Sequence, residues 1–148
     1  MVFCTKTDLI IEIGSKIMIE NETAIKLMEL AKEAAENAYA PFSKFKVGAC
    51  VLTSSDKTYK GCNFENSSYG LTICAERNAI GSAIADGETK IKAIAIYSPN
   101  TDNCMPCGAC RQVIHEFKME EGTDVITKDG NNLVFHDITD LLPIGFSL

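Results

Sequence analysis

The sequence has no excess of positive charge. Fourteen lysine and arginine residues stand against twenty acidic residues, which gives a formal net charge of −6 at pH 7. A polyanion such as tRNA or single-stranded DNA would be repelled on average, and no stripe of basic and aromatic residues runs along the chain. These absences argue against a nucleic-acid partner and favour a small neutral substrate.

The sequence also has no long hydrophobic run. An apolar stretch over residues 9–19 is interrupted by Glu12, Gly14, Ser15 and Lys16, and it is too short to cross a bilayer. We therefore expect no membrane span.

The number and setting of the cysteines indicate a reducing compartment. The seven cysteines are an odd number, and no secretory h-region with a small-residue cleavage site precedes them. We expect reduced thiols and a cytoplasmic protein. The only two histidines, His115 and His136, belong to no metal-binding motif.

The length and composition suit a single domain. A chain of 148 residues that is 46% hydrophobic can bury a core without disulfides. We expect this domain to span residues 21–148, preceded by an N-terminal extension of unknown role over residues 1–20. The isoleucine-rich segment of that extension, residues 9–13, is compatible with a strand, a helix or an interaction arm, because its periodicity does not separate these.

Helical and strand patterns alternate after residue 20. Asn21 is a plausible N-cap for a first helix that ends near residues 39–41. Other segments predict strands at 47–52, 59–63, 91–97, 124–127 and 133–135, and helices at 74–85, 107–117 and 137–142. This order predicts an α/β fold, with one mixed sheet of about five strands and helices on its faces.

Three cysteines have the spacing of a catalytic metal site. Cys107 and Cys110 are three residues apart at a predicted helix start, and Cys74 begins another predicted helix. Helix N-termini stabilise thiolates, which favours metal binding at neutral pH. Three thiolates on zinc leave a fourth tetrahedral position for water, an arrangement typical of zinc-dependent nucleobase and nucleoside deaminases.

Glu76 is the candidate proton carrier of this site. Its offset of two residues from Cys74 places it about 200° around a helix, so it is not expected to be a ligand. It can still reach the open side of the site and move a proton between water and a ring nitrogen.

Other readings of the cysteines remain open from spacing alone. The Cys-x-x-Cys pair is also typical of a redox pair or a structural zinc knot, whose fourth ligand would be Cys104. Cys104, Cys107 and Cys110 also have a spacing compatible with an iron–sulfur cluster, but that reading leaves the Cys-Ala-Glu-Arg element without a role. We expect Cys104 to be a spectator.

Five motifs occur in one consistent order from about residue 22 onward. They are Ser43-Lys44-Phe45-Lys46-Val47-Gly48-Ala49, Gly61-Cys62-Asn63-Phe64-Glu65-Asn66-Ser67-Ser68-Tyr69, Cys74-Ala75-Glu76-Arg77-Asn78-Ala79-Ile80, Pro106-Cys107-Gly108-Ala109-Cys110-Arg111-Gln112, and Leu141-Leu142-Pro143 with Phe146. In this combination the chain resembles the small, homotetrameric cytidine deaminases. The resemblance implies a three-layer α-β-α cytidine-deaminase-like fold and the hydrolytic deamination of cytidine and deoxycytidine in pyrimidine salvage. The products would be ammonia and the uracil nucleosides.

The resemblance also implies roles for the metal site and its surroundings. Cys74, Cys107 and Cys110 would bind one Zn²⁺ per chain, and Glu76 would be the catalytic proton shuttle. Arg77 would hydrogen-bond the ligand sulfurs and offset their negative charge.

The substrate-binding residues are likewise implied by the resemblance. Asn63 and Glu65 would hold the ribose 3′-hydroxyl, whereas Phe45 would pack against the pyrimidine. Tyr69 would lie near the 5′ side of the sugar, and the backbone of Ala75 would meet the amide edge of the base. In a homotetramer, Phe146 would reach the pocket of a neighbouring subunit, so that active sites are shared.

The chain departs from the family pattern in two places, and rival functions remain. Phe42 stands where a tyrosine is often found, and residues 1–20 have no counterpart in the minimal pattern. The rivals are another aminopyrimidine deaminase, such as a blasticidin-type enzyme, a noncatalytic zinc-binding interaction module and a nucleic-acid editor. Asn63 and Glu65 argue against the first, the intact Glu76 argues against the second, and the acidic charge argues against the third.

Overall fold

The computed structural model describes residues 10–12 and 17–148 of the chain. Six strands are present among them: β1 (Ile10–Glu12), β2 (Gly48–Thr53), β3 (Thr58–Cys62), β4 (Ile91–Tyr97), β5 (Asp124–Asp129) and β6 (Asn132–Asp137). The helices are α1 (Asn21–Glu36), α2 (Ala75–Ala85), α3 (Gly108–Glu116) and α4 (Ile138–Leu141), with a short 3₁₀ helix at Tyr69–Leu71. None of these helices is long and apolar enough to span a membrane.

The strands form one mixed sheet in the order β1-β6-β5-β4-β2-β3. The β4–β5 and β1–β6 pairs are parallel, whereas the other neighbours are antiparallel. The five predicted strands are all confirmed. The isoleucine-rich segment adds a sixth, because Ile10–Glu12 pairs with β6; Leu9 and Ile13 lie outside the described residues.

Helices cover both faces of the sheet, which confirms the three-layer prediction. On one face, α1 packs against β2, β3, β4 and β5, and the core there includes Leu27, Met28, Leu52, Ile126 and Phe135. On the other face, α2, α3 and α4 supply residues such as Ile80, Ile114 and Ile138 to a second core. Successive side chains of β2 and β4 point into one core and then the other, so both strands are almost entirely buried.

The first helix differs from its prediction at both ends. Its N-cap is Glu20, whose side chain makes no cap hydrogen bond, and Asn21 is already helical. It ends at Glu36, because the backbone of Tyr39 pairs with that of residues 63–65. The Tyr39 amide donates to the Asn63 carbonyl at 3.0 Å, and the Glu65 amide donates to the Tyr39 carbonyl at 2.8 Å.

Close backbone contact between β3 and α2 fixes the position of the helix that carries Glu76. A Cβ atom at Gly61 would lie 2.3 Å from the Ala79 nitrogen and 2.6 Å from the Ala75 carbonyl oxygen. Only glycine allows this approach, because the atoms in the way belong to the helix backbone and cannot rotate aside.

We expect Gly61→Ala to destabilise the protein severely, by at least about 3 kcal/mol, because α2 would have to move off the sheet. Thermal unfolding of the purified variant measures this. The matched control is Gly81→Ala within α2, where a Cβ meets nothing within 4 Å. Because alanine has a higher helix propensity than glycine, Gly81→Ala should leave the free energy of unfolding unchanged or raise it by up to about 1 kcal/mol. Equal unfolding temperatures for the two variants would contradict the close-approach argument.

Candidate active site

Three thiols converge where two helices begin. Cys74 is the N-cap of α2, Cys107 is the N-cap of α3, and Cys110 lies in the first turn of α3. Their sulfur atoms all lie within 4.8 Å of one another, and those of Cys74 and Cys107 are 4.0 Å apart. Among the described residues, this is the group of three that could hold a metal ion. The predicted helix-start positions are thus confirmed.

The thiols differ in how readily they lose a proton. Hydrogen bonding from the Cys110 thiol, together with Arg77, lowers the pKa of Cys74. The pKa of Cys110 is raised, because its proton is shared with the Cys74 sulfur and because the side chain is buried. A thiolate is therefore already favoured at Cys74, and a cation at the centre of the group would favour the others.

Arg77 lies directly beside this group. Its guanidinium donates to the Cys74 sulfur at 3.4 Å and to the Thr72 carbonyl at 3.5 Å. The buried Nε of Arg77 has no hydrogen-bond partner within the part of the chain that the structure describes. A fixed positive charge at this position stabilises negative charge on the sulfurs.

Glu76 is buried one residue inside α2. Its side chain is only 5% exposed, and burial raises its pKa to about 7. A carboxyl group with a pKa near neutrality can both take up and release a proton at physiological pH. Buried carboxyl groups with such pKa values are typical of acid–base sites.

A cavity of about 330 Å³ opens in front of Glu76. It is lined by Ser43, Phe45, Val47, Asn63, Thr72, Cys74, Ala75, Glu76, Cys104, Met105 and Cys107. The structure therefore brings together six of the predicted site residues: Phe45, Asn63, Cys74, Ala75, Glu76 and Cys107. Cys110 is buried behind the wall of this cavity. The volume suits a small organic ligand.

The other predicted sugar-side residues lie in an adjoining depression of about 430 Å³. Glu65 and Tyr69 line it together with Phe42, Ser43 and Thr72. Because Ser43 and Thr72 also line the cavity of Glu76, the two spaces are contiguous. Phe42 packs edge-on against Tyr69, with ring centroids 5.6 Å apart.

Asn63 and Glu65 both organise the loop that follows α1. The Asn63 amide donates to the Phe45 carbonyl at 2.8 Å and accepts from the Val47 amide at 2.8 Å. The Glu65 carboxylate accepts from the backbone amides of Phe42 and Ser43, and its pKa is lowered, chiefly by hydrogen bonding from Ser43. Each side chain retains further hydrogen-bonding capacity for a ligand.

The two hydrogen bonds from Asn63 to the backbone of this loop stabilise the fold. We expect Asn63→Ala to lower the free energy of unfolding by about 1–3 kcal/mol, since it leaves the Phe45 carbonyl and the Val47 amide without partners. Chemical denaturation measures the difference. Asn37→Ala, at the exposed C-cap of α1, serves as the control and should change stability by less than about 0.5 kcal/mol. Similar values for both variants would show that the two hydrogen bonds contribute nothing.

Phe146 does not line the cavity of its own chain. Its side chain is 69% exposed, although the main chain at this position is hydrogen-bonded to Gln112 of α3. The structure therefore separates Phe146 from the other predicted site residues within one subunit.

Sequence reasoning missed part of the cavity wall. Cys104 and Met105 both line it, and burial raises the pKa of Cys104 to about 11, with a smaller contribution from Glu76. Cys104 lies outside the group of three thiols that could hold a metal ion. The available signal was that Cys104 and Met105 come immediately before Pro106 and Cys107, so they lead into the turn that carries two of the three thiols.

Comparison with known proteins identifies the family. Residues 21–123 match the family model described as the cytidine and deoxycytidylate deaminase zinc-binding region. Cytidine deaminase of Sporosarcina psychrophila is 43% identical over 82% of this chain and 90% of its own length. That of Halalkalibacterium halodurans is 37% identical over 82% of this chain and 92% of its own.

Solved structures agree with this assignment. The crystal structure of cytidine deaminase from Burkholderia pseudomallei has a TM-score of 0.77 at 41% identity, covering 86% of this chain and all of that one. The enzyme from Mycobacterium tuberculosis has a TM-score of 0.72 at 36% identity, covering 84% of this chain and 97% of that one. With the thiol group, the buried carboxyl and the cavity all inside or beside the matched region, the chain belongs to the zinc-dependent cytidine deaminase family.

Proposed function

We propose that this protein hydrolyses cytidine and deoxycytidine to uridine and deoxyuridine with release of ammonia. The observation that carries the proposal is the meeting of the three-thiol group and the buried Glu76 at the wall of one cavity. A metal-activated water and a proton carrier on the same side of a flat base are what this hydrolysis needs. The family and its named relatives support the same reaction.

The donor set fits zinc. Three sulfurs at mutual distances within 4.8 Å, two of them on helix N-termini, suit a tetrahedral ion that prefers thiolate. We assign Cys74, Cys107 and Cys110 as the ligands of one Zn²⁺ per chain. When bound, zinc acts as a Lewis acid that makes a water molecule nucleophilic at neutral pH. Arg77 offsets the negative charge of the three thiolates and holds the Cys74 sulfur in place.

The ligand assignment predicts a contrast between neighbouring cysteines. Cys107→Ser should lose its zinc, whereas Cys104→Ser should keep a full equivalent, because Cys104 lies outside the thiol group. Zinc content measured by elemental analysis after gel filtration distinguishes the two. Complete loss of zinc from Cys104→Ser would overturn the three-ligand assignment and support a structural site with four ligands.

Glu76 carries protons through the reaction. It accepts a proton from the attacking water as the new C–O bond forms at C4, and it donates this proton to N3 of the ring. It then takes up the proton of the new C4 hydroxyl and delivers it to the amino group, the C4–N bond breaks as the C4=O bond forms, and ammonia leaves. The sum is cytidine and water giving uridine and ammonia, with Glu76 restored.

The two contiguous spaces suit the two halves of a nucleoside. The base occupies the cavity of Glu76, where the Phe45 ring offers an apolar face and the backbone of Ala75 meets the amide edge. The sugar extends towards Glu65 and Tyr69 in the adjoining depression. Asn63, whose amide keeps one donor and one acceptor position for a ligand, and Glu65 bind the 3′-hydroxyl.

The remaining features of the proposal concern assembly and setting. The protein forms a homotetramer in which Phe146 of one subunit contacts the base bound by another. Residues 21–148 form the deaminase domain, and residues 1–20 are an extension to it. We assign the enzyme to the cytoplasm, because the six cysteines that the structure describes are all free thiols, as is usual in a reducing compartment. Its reaction belongs to pyrimidine salvage. Its net charge of −6 disfavours nucleic acid as a substrate.

Ammonia release from a panel of substrates tests the proposal. Cytidine and deoxycytidine should both be deaminated, whereas free cytosine should react at least about a hundredfold more slowly, because it offers no sugar for Asn63 and Glu65 to bind. Cytidine monophosphate should also be poor, since the sugar-side depression contains the Glu65 carboxylate. Faster turnover of cytosine than of cytidine would contradict the nucleoside assignment.

A further inference from the structure

The C-terminal tail is held against α3 by a two-point contact with one side chain. The Gln112 amide nitrogen donates to the Phe146 carbonyl at 2.9 Å, and the Phe146 amide donates to the Gln112 carbonyl oxygen at 3.3 Å. One glutamine thus satisfies both backbone groups of a single residue, as a neighbouring strand would. This contact fixes the direction of the Phe146 main chain relative to α3.

His115, one turn further along α3, supports the same segment. A Cβ atom at Gly145 would lie 2.7 Å from three atoms of the His115 ring, so the glycine lets the tail lie directly on the imidazole. The Ser147 hydroxyl lies 3.4 Å from the His115 Nε2. Residues 145 and 147 therefore both lie close to the His115 ring.

The same tail leaves three large apolar side chains in contact with solvent. Ile144, Phe146 and Leu148 are all strongly exposed, although the main chain of Phe146 is anchored to α3. A fixed backbone with an outward aromatic ring is suited to contact with a second molecule rather than to the core of its own subunit.

We propose that Gln112 is a positioning residue for catalysis: its amide holds the Phe146 main chain so that the ring is presented to the active site of a second copy of this chain. The inference rests on the proposed function, in which Phe146 contacts a base bound by a neighbouring subunit. An unanchored tail of this length would sample many conformations, and ordering it would weaken substrate binding. Gln112 removes that penalty before substrate arrives.

The test is a double-mutant cycle between Gln112→Glu and Phe146→Ala. At neutral pH the glutamate has nearly the shape of glutamine but cannot donate, and it places a carboxylate oxygen against the Phe146 carbonyl. We expect Gln112→Glu to lower kcat/KM for cytidine about tenfold, the loss anticipated for one well-placed hydrogen bond. In the Phe146→Ala background the same change should cost less than about twofold, because no ring remains to be positioned.

Three controls separate positioning from damage to the fold. Zinc content and unfolding temperature should be unchanged in Gln112→Glu, which matters because Cys110 is two residues away. Glu116→Gln, the reverse exchange at an exposed position of the same helix, should leave kcat/KM at the wild-type value. Gly145→Ala perturbs the tail from its other contact and should reproduce the Gln112→Glu loss.

A second readout follows the tail itself. The chain has no tryptophan, so Phe146→Trp introduces a single indole whose fluorescence anisotropy reports the order of the tail. Adding Gln112→Glu should lower that anisotropy, and adding Glu116→Gln should not.

The proposal would be overturned if Gln112→Glu lowered kcat/KM equally in the presence and in the absence of the Phe146 ring. It would also be overturned if Gln112→Glu left kcat/KM unchanged in the otherwise wild-type protein. If Phe146→Ala alone left kcat/KM unchanged, the role of Phe146 in the proposed function would fail, and the positioning of its ring would fail with it. Deamination of cytidine by the wild-type protein is measured in the same assay, so failure of the deaminase function itself is distinguished from both.

Discussion

Glu76→Gln should fold, bind zinc and lose nearly all turnover of cytidine. The amide has almost the same shape as the carboxylic acid, so the packing of α2 against β3 is preserved. It cannot, however, accept a proton from water and pass it on to N3 and the leaving amine. We expect kcat to fall by at least about 10³-fold.

Measurement of zinc content and ammonia release on one preparation tests this expectation. The zinc content should stay at the wild-type level, which separates proton transfer from metal binding. Asn78→Asp, a similar amide–acid exchange two residues further along α2, is a useful comparison, because the Asn78 amide contacts only the Cys62 carbonyl in the described residues. Turnover of Glu76→Gln within about threefold of wild type, less than 1 kcal/mol in barrier, would rule out the shuttle role.

Two variants that are each nearly inactive alone should restore activity when they are assembled together. Glu76→Ala lacks the proton carrier, and Phe146→Ala lacks the ring that we assign to a neighbour's site. After co-refolding, a site that keeps its own Glu76 can receive Phe146 from the other variant. With random mixing in equal amounts, about a quarter of the sites would combine both intact residues, and activity should rise towards that fraction of wild type.

The exposure of Phe146 is the reason to expect complementation. Its ring is 69% exposed and lies away from the cavity of its own chain. If Phe146 acted only on the active site of its own subunit, every mixed tetramer would be inactive, because neither variant chain carries both Glu76 and Phe146. Differently tagged variants allow mixed tetramers to be isolated. Activity that stays at the sum of the two parents in demonstrated mixed tetramers would exclude a shared site.

The sequence predicted the elements whose patterns depend on one strong constraint. The strand Ile91–Tyr97 was predicted with its observed bounds, because alternating apolar residues between two cores leave no other register. The starts of α2 and α3 were predicted within one residue, from the helical composition that follows Cys74 and from the Cys-x-x-Cys spacing that begins at Cys107. Such features are local in the chain.

Features that depend on distant partners were not predictable in the same way. The early end of α1 results from pairing of Tyr39 with residues 63–65, which no local pattern encodes. The strand Ile10–Glu12 exists only because β6 offers a free edge to it. Likewise, the family resemblance implies that Asn63 binds ribose, but its two hydrogen bonds to the backbone of Phe45 and Val47 depend on the folded chain.

The central claim is that this protein is a zinc-dependent deaminase of cytidine, and zinc titration of the metal-free protein tests it most directly. Protein stripped with a chelator would be mixed with cytidine, and ammonia and uridine would be measured as zinc is added. We predict no turnover without metal, a linear rise that ends at one equivalent of zinc per chain, and equal amounts of ammonia and uridine. No ammonia from cytidine at any zinc concentration, in protein that remains folded, would contradict the account.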